Sequence, residues 1–209
     1  MTTRIKTRFE KARNLLKEGD VLLFSGNSIV SKLIQRAGEG KYSHVGVASS
    51  VGSNGDKIWE CVEFREWKGG RSVNLERYIE QEKSIDVYRP VSSRKIIVPV
   101  SGIPVEFDVK FDGKKVTNMM RRMTGLPYGW KRIAWIASYK LPILRLFYNI
   151  DTVTDDTDHK IVYPVCSTAV AHSFSKVKYD LTHHRSDNSM EPSDIARSPL
   201  LFYIFTIVP

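Results

Sequence analysis

Two β-rich runs facing each other across a strong turn constrain this chain more than any other feature. Residues 42–50 (YSHVGVASS) and 57–64 (KIWECVEF) flank Ser53-Asn54-Gly55-Asp56. An Asn-Gly step between two such runs favours a tight antiparallel hairpin. A hairpin is not stable alone, so the rest of the chain must extend it into a sheet and cover its apolar face. Strands are expected at Val21–Phe24, after the Glu18-Gly19-Asp20 turn, and over 84–89 and 201–208. Ser25-Gly26-Asn27-Ser28 supplies a turn and an N-cap for a helix with Ile29, Leu33 and Ile34 on one face, ending near Gly38. Helical spacing recurs over 75–82, 115–123, 130–139 and 166–174, and residues 91–113 are β-rich, with turns at Ser101-Gly102 and Asp112-Gly113. An acidic loop over 151–160 and a polar, mobile stretch over 181–193 complete the reading. The expected fold is α+β with a mainly antiparallel sheet, in a single domain spanning 1–209.

At 209 residues, 42% hydrophobic and 26% charged, the chain can bury a core without disulfides or a metal. Its two cysteines, Cys61 and Cys166, form neither a disulfide framework nor a C-x-x-C metal unit. The expected setting is therefore reducing and cytoplasmic, since no signal peptide precedes the first strand and the apolar run 133–150 is broken by Lys140, Pro142 and Arg145. The net charge of +9 favours anionic partners. It is most concentrated in an N-terminal stretch, about 3–17, where Ile5, Phe9, Ala12 and Leu16 alternate with bases in a basic amphipathic helix. Packing on the domain's own core is the preferred role for that helix, and an anionic membrane surface the alternative.

Chemistry concentrates at Cys166 and His44. Pro164 blocks helix upstream and an amphipathic stretch begins at Cys166, which places the sulfur on a helix N-terminal turn. Backbone N–H groups and the helix dipole there favour a thiolate and can hold an oxyanion. His44 lies within the first hairpin strand, where a sheet holds an imidazole rigidly. The neighbouring strand offers two carboxylates, Glu60 and Glu63. Strand side chains alternate, so only one of them can orient His44. Cys61, mid-strand and away from any helix start, reads as core. The bland alternatives are a buried apolar thiol and a satisfied core histidine.

The strings EGDVLLFSGNSIVSKLIQRAGEGKYSHVGVA (18–48), IWECVEF (58–64), GLPYGW (125–130) and YPVCSTAV (163–170) occur in that order. Together they resemble the circularly permuted papain-like cysteine hydrolases, the YiiX-like branch of the NlpC-type superfamily, related to lecithin–retinol acyltransferase. In that branch the histidine strand comes first and the cysteine helix last. The resemblance implies a permuted papain-like fold, with Cys166 as nucleophile, His44 as base and Glu60 as third residue. Glu63 would replace Glu60 if the hairpin carried a bulge. Tyr42, just before S-H-V-G, is a candidate for lining the substrate site. Gly129 stands where the family often has Asp after G-x-P-Y, so substrate contacts there are expected to differ.

The expected activity is a cysteine hydrolase or amidase, peptidase-like, working through a thioester. The alternatives are a lipid-directed thiol acyltransferase or phospholipase, and a non-catalytic binding module on the same fold. The expected substrate carries an amide or ester, as in a peptide, a cell-wall fragment or a lipid. No cofactor or metal is expected: His183 and His184 point apart, and the aspartates of 151–158 lack a calcium-loop glycine. No nucleic-acid module is recognisable either.

Overall fold

The computed structural model describes residues 4–52, 57–82, 84–100, 103–130, 164–181, 187 and 190–209. The expected helix over 130–139 falls, beyond Trp130, outside these residues. So do the acidic loop 151–160, the turn at 53–56 and the histidines at 183 and 184.

Seven strands form the main sheet. In chain order they are β1 (Lys6–Arg8), β2 (Val21–Phe24), β3 (His44–Val51), β4 (Ile58–Arg65), β5 (Gly69–Asn74), β6 (Ile85–Pro90) and, last in the chain, β9 (Leu201–Val208). They lie side by side as β1-β9-β6-β2-β3-β4-β5. Every neighbouring pair is antiparallel except β1 with β9. A separate hairpin pairs β7 (Ser93–Val100) with β8 (Ile103–Lys110). The helices are α1 (Phe9–Leu15), α2 (Ile29–Ala37), α3 (Leu75–Gln81), α4 (Gly113–Arg122), α5 (Cys166–Lys176) and α6 (Pro192–Ala196). The mixed α+β class with a mainly antiparallel sheet is thus observed.

Strand alternation divides the core into two layers. Val45, Val47, Val62 and Phe64 point to one face and meet Val116 and Met120 of α4 and Ala169, Val170 and Phe174 of α5. Burying a side chain such as Phe174 stabilises the fold by roughly 1.5–3 kcal/mol. Leu22, Phe24, Ala48 and Cys61 point to the opposite face and meet Phe9 and Ala12 of α1 and Leu75, Tyr78 and Ile79 of α3. Cys61 is therefore core, as its sequence position implies.

The N-terminal helix is shorter than expected. Lys6–Arg8 is strand, drawn into parallel pairing with Thr206–Val208, and the helix proper begins at Phe9. Phe9, Ala12 and Leu16 are buried while Ile5 is exposed, so the apolar stripe packs on the protein itself. The stretch expected to be mobile also ends differently. Met190, Glu191 and Ser193 are buried, and Ser167 Oγ donates to the Met190 carbonyl at 2.6 Å. Among the described residues no helix is long and apolar enough to cross a membrane.

Candidate active site

His44 is the first residue of β3, so its ring stands at the rim of the sheet. Its partner on β2 is Phe24, whose ring lies 5.2 Å from the imidazole. The register of β3 with β4 decides which carboxylate it meets. Gly46 pairs with Glu63 and Ser49 with Glu60. Paired residues share a face, so Glu63 joins His44 and Gly46, while Glu60 joins Ser49 on the other side. His44 Nε2 and Glu63 Oε2 are 2.5 Å apart.

The carboxylate that meets His44 is accordingly Glu63 and not Glu60. Glu60 is engaged elsewhere, by Arg121 of α4 at 2.5 Å and by Ser72 Oγ at 2.7 Å. No bulge is needed, since the β3–β4 register is regular. A signal for this was present in the sequence: a two-residue turn centred on Asn54-Gly55 pairs position 46 with 63. The Glu60 assignment followed the resemblance, which aligns motifs but does not set hairpin register.

Glu63 is wholly buried and saturated with donors. Arg71 on β5 donates to Oε1 through Nε at 2.8 Å and through a terminal nitrogen at 2.5 Å, and the Tyr78 hydroxyl donates to Oε2 at 2.8 Å. Burial alone would raise this carboxyl, but His44 and Arg71 outweigh it and hold it at about 2. Burial likewise depresses the imidazole, yet the Glu63 charge, and that of Cys166 as thiolate, raise His44 to about 10. Gly46 makes this packing possible: a Cβ there would come within 2.5 Å of Cys61 Sγ and 3.2 Å of Glu63 Cβ.

Cys166 opens α5, which packs across β3 and β4, and its side chain is buried beside the His44 ring. Against burial, which lowers the imidazole, proximity to Cys166 is one of the causes that raise it, after the Glu63 charge. With Nε2 on Glu63, the remaining nitrogen Nδ1 has no partner of regular hydrogen-bond geometry among the described residues. Nδ1 is therefore the ring nitrogen left open to a neighbour other than Glu63. First-turn N–H groups of a helix lack intrahelical acceptors. Here one end of the turn is braced by the Val165 N–H donating to Thr168 Oγ1 at 3.0 Å.

Tyr128 is a site residue that sequence reasoning passed over. It belongs to the G-L-P-Y string, and its buried phenol lies near Cys166. Burial is the larger of the causes that raise its pKa. Backbone bonds hold it there. The Gly129 N–H donates to Pro164 O at 3.1 Å, the Gly70 N–H to Leu126 O at 2.9 Å and the Gly125 N–H to Gly70 O at 2.8 Å. The signal was the string itself, an ordered turn preceding the cysteine helix in the chain.

Tyr42 does not line the site. Its hydroxyl is committed to Asp86 at 2.7 Å and lies 3.0 Å from that of Tyr88, in a buried network that also ties in Arg4, Lys41 and Thr206. A cleft of about 330 Å³ reaches His44 from outside, past Gly26, Ser28, Ser43, Trp67 and Trp130.

No family model matches the chain, and no curated protein does. Among solved structures the chain is similar to the crystal structure of metalloprotein yiiX, DUF1105, from Escherichia coli O157:H7. The superposition has a TM-score of 0.56 at 15% identity and covers 92% of this chain and 98% of that one. The fold is that of YiiX. Among the described residues no three His, Cys, Asp or Glu side chains gather as a metal ion requires. The carboxylate nearest His44 is already saturated by Arg71 and Tyr78, so the described site does not fit a resident metal.

Proposed function

We propose that this protein is a cysteine hydrolase of the permuted papain-like, NlpC-type kind, acting on an amide or ester through a thioester. One observation carries the reading. A buried imidazole is held through Nε2 by a saturated carboxylate, keeps Nδ1 without a hydrogen-bond partner among the described residues, and lies near a cysteine at a helix start. Holding one nitrogen fixes the tautomer and stabilises the imidazolium, which is what a base next to a thiol needs. The proton of Cys166 passes to His44 and the sulfur attacks the carbonyl carbon. First-turn N–H groups of α5 and the Tyr128 hydroxyl receive the oxyanion. The C–O or C–N bond then breaks as the imidazolium protonates the leaving group, and water, deprotonated by His44, resolves the thioester. Within this reading Glu63 orients and Glu60 is structural.

The test is alkylation by an electrophilic amide probe together with hydrolysis of activated esters. Labelling of wild-type protein is expected at Cys166, slowed at least about 10²-fold in His44→Ala. Ester hydrolysis that persists undiminished in Cys166→Ala sinks the proposal.

A further inference from the structure

The cleft that reaches the site arrives at His44, and its described walls include that histidine but not Cys166. In a thioester mechanism these two residues face different halves of the substrate: the cysteine keeps the acyl group, while the histidine protonates the group that departs. A channel ending at the histidine is the place for the leaving group. Its outer wall is aromatic. Trp67, in the turn between β4 and β5, is 85% exposed, and its ring centroid lies 4.3 Å from that of Trp130. Trp130 in turn packs edge-on against Tyr128 at 5.3 Å, so the aromatic wall continues from solvent to the reacting sulfur's neighbour.

The backbone at Trp67 adds an independent observation. Its φ is +64°, in the left-handed region that a bulky side chain rarely adopts. The turn closes through the Lys68 N–H donating to the Arg65 carbonyl at 3.1 Å. Glycine or asparagine would suit this position better, and an indole so exposed contributes little to the core. The cation deeper in the cleft is already occupied, since Arg65 bonds Tyr78 at 2.8 Å and Glu82 at 3.2 Å. The cleft also carries Lys68, Glu66 and three serines, so the flat apolar surface it offers a ligand is the indole pair at its mouth.

We infer that Trp67 and Trp130 form the leaving-group subsite of this enzyme and select substrates whose departing alcohol or amine carries a flat apolar group. This rests on the cysteine-hydrolase reading above. Stacking on an indole favours an aromatic leaving group over a small one in the acylation step alone. Once the leaving group has gone, Trp67 has nothing left to hold, and hydrolysis of the thioester proceeds as before.

The experiment uses two esters with one acyl group, one with a naphthyl-type and one with a small aliphatic alcohol of matched leaving ability, on the full chain. Trp67→Gly relieves the left-handed backbone, so its thermal midpoint is expected not to fall, which separates function from folding. The variant should lose ten-fold or more in kcat/KM for the aromatic ester, with the small ester and the deacylation rate unchanged. An equal loss on both esters, or an undiminished aromatic preference, overturns the subsite while leaving the hydrolase intact. If neither ester acylates Cys166 in wild type, the hydrolase reading and the subsite fall together.

Discussion

Glu63 is the carboxylate that holds His44. Its four close donors are an imidazole, two guanidinium nitrogens and a phenol, an arrangement that leaves it no freedom to swing away from His44. Replacing it by glutamine keeps the shape but removes the charge that holds the imidazolium. Glu63→Gln is expected to slow Cys166 alkylation by about 10²–10⁴-fold, read as a second-order rate constant at neutral pH. Glu60→Gln, on the opposite face with Arg121 and Ser72, should leave that constant within about two-fold. The reverse ranking would return the third position to Glu60. Tyr42 belongs to the same lesson. Two residues ahead of β3, it is anchored through its hydroxyl to Asp86 and serves the fold.

At the scale of elements, the site depends on how closely β3 and β4 approach. Gly46 faces Glu63, with the Val62 carbonyl 3.1 Å and Cys61 Sγ 2.5 Å from where a Cβ would stand. The carbonyl belongs to the ladder and cannot withdraw, whereas the thiol can be removed. Gly46→Ala should therefore cost about 1–3 kcal/mol in urea unfolding and weaken Cys166 labelling as Glu63 is displaced. Adding Cys61→Ala should recover part of both losses, a non-additive pair. Strict additivity would show that the sulfur is not the obstacle. On the other side, β5 and the G-L-P-Y turn are bonded to each other through Gly70. Tyr128 thus reaches Cys166 because an edge strand that sequence reasoning did not foresee holds its loop.

For the whole molecule, the buried pair links the site to stability. His44 rises from an ordinary 6.5 to about 10 on folding. Its contribution is complete below pH 6.5 and is lost as pH climbs toward 10. Glu63 falls from 4.5 to about 2, so its contribution is complete above pH 4.5 and is lost as pH drops toward 2. The two limbs describe one ion pair, not two separate gains. Stability relative to Glu63→Gln should be greatest between pH 4.5 and 6.5 and shrink on either side, as measured by urea unfolding across pH. A difference that is flat with pH would mean that the pair is not ionised in the folded state.

The sequence by itself determined most of the elements and singled out His44 and Cys166, which the fold brings together. Local signals carry that information: the Asn54-Gly55 step, the Ser28 cap before α2, the Asp112-Gly113 turn opening α4, and Pro164 ahead of the cysteine helix. The β5 strand, with two glycines and little alternation, and the five-residue α6 carry no such signal; pairing with β4 and the burial of Pro192 and Ile195 make them regular. Only the tertiary structure decided between Glu60 and Glu63, moved Tyr42 out of the site and brought Tyr128 and the Trp67–Trp130 wall into it. The physical reason is the period of a β-strand. A shift of one residue in pairing sends every side chain to the other face, so nearness along the chain says little about which carboxylate meets the histidine until the strands are in register.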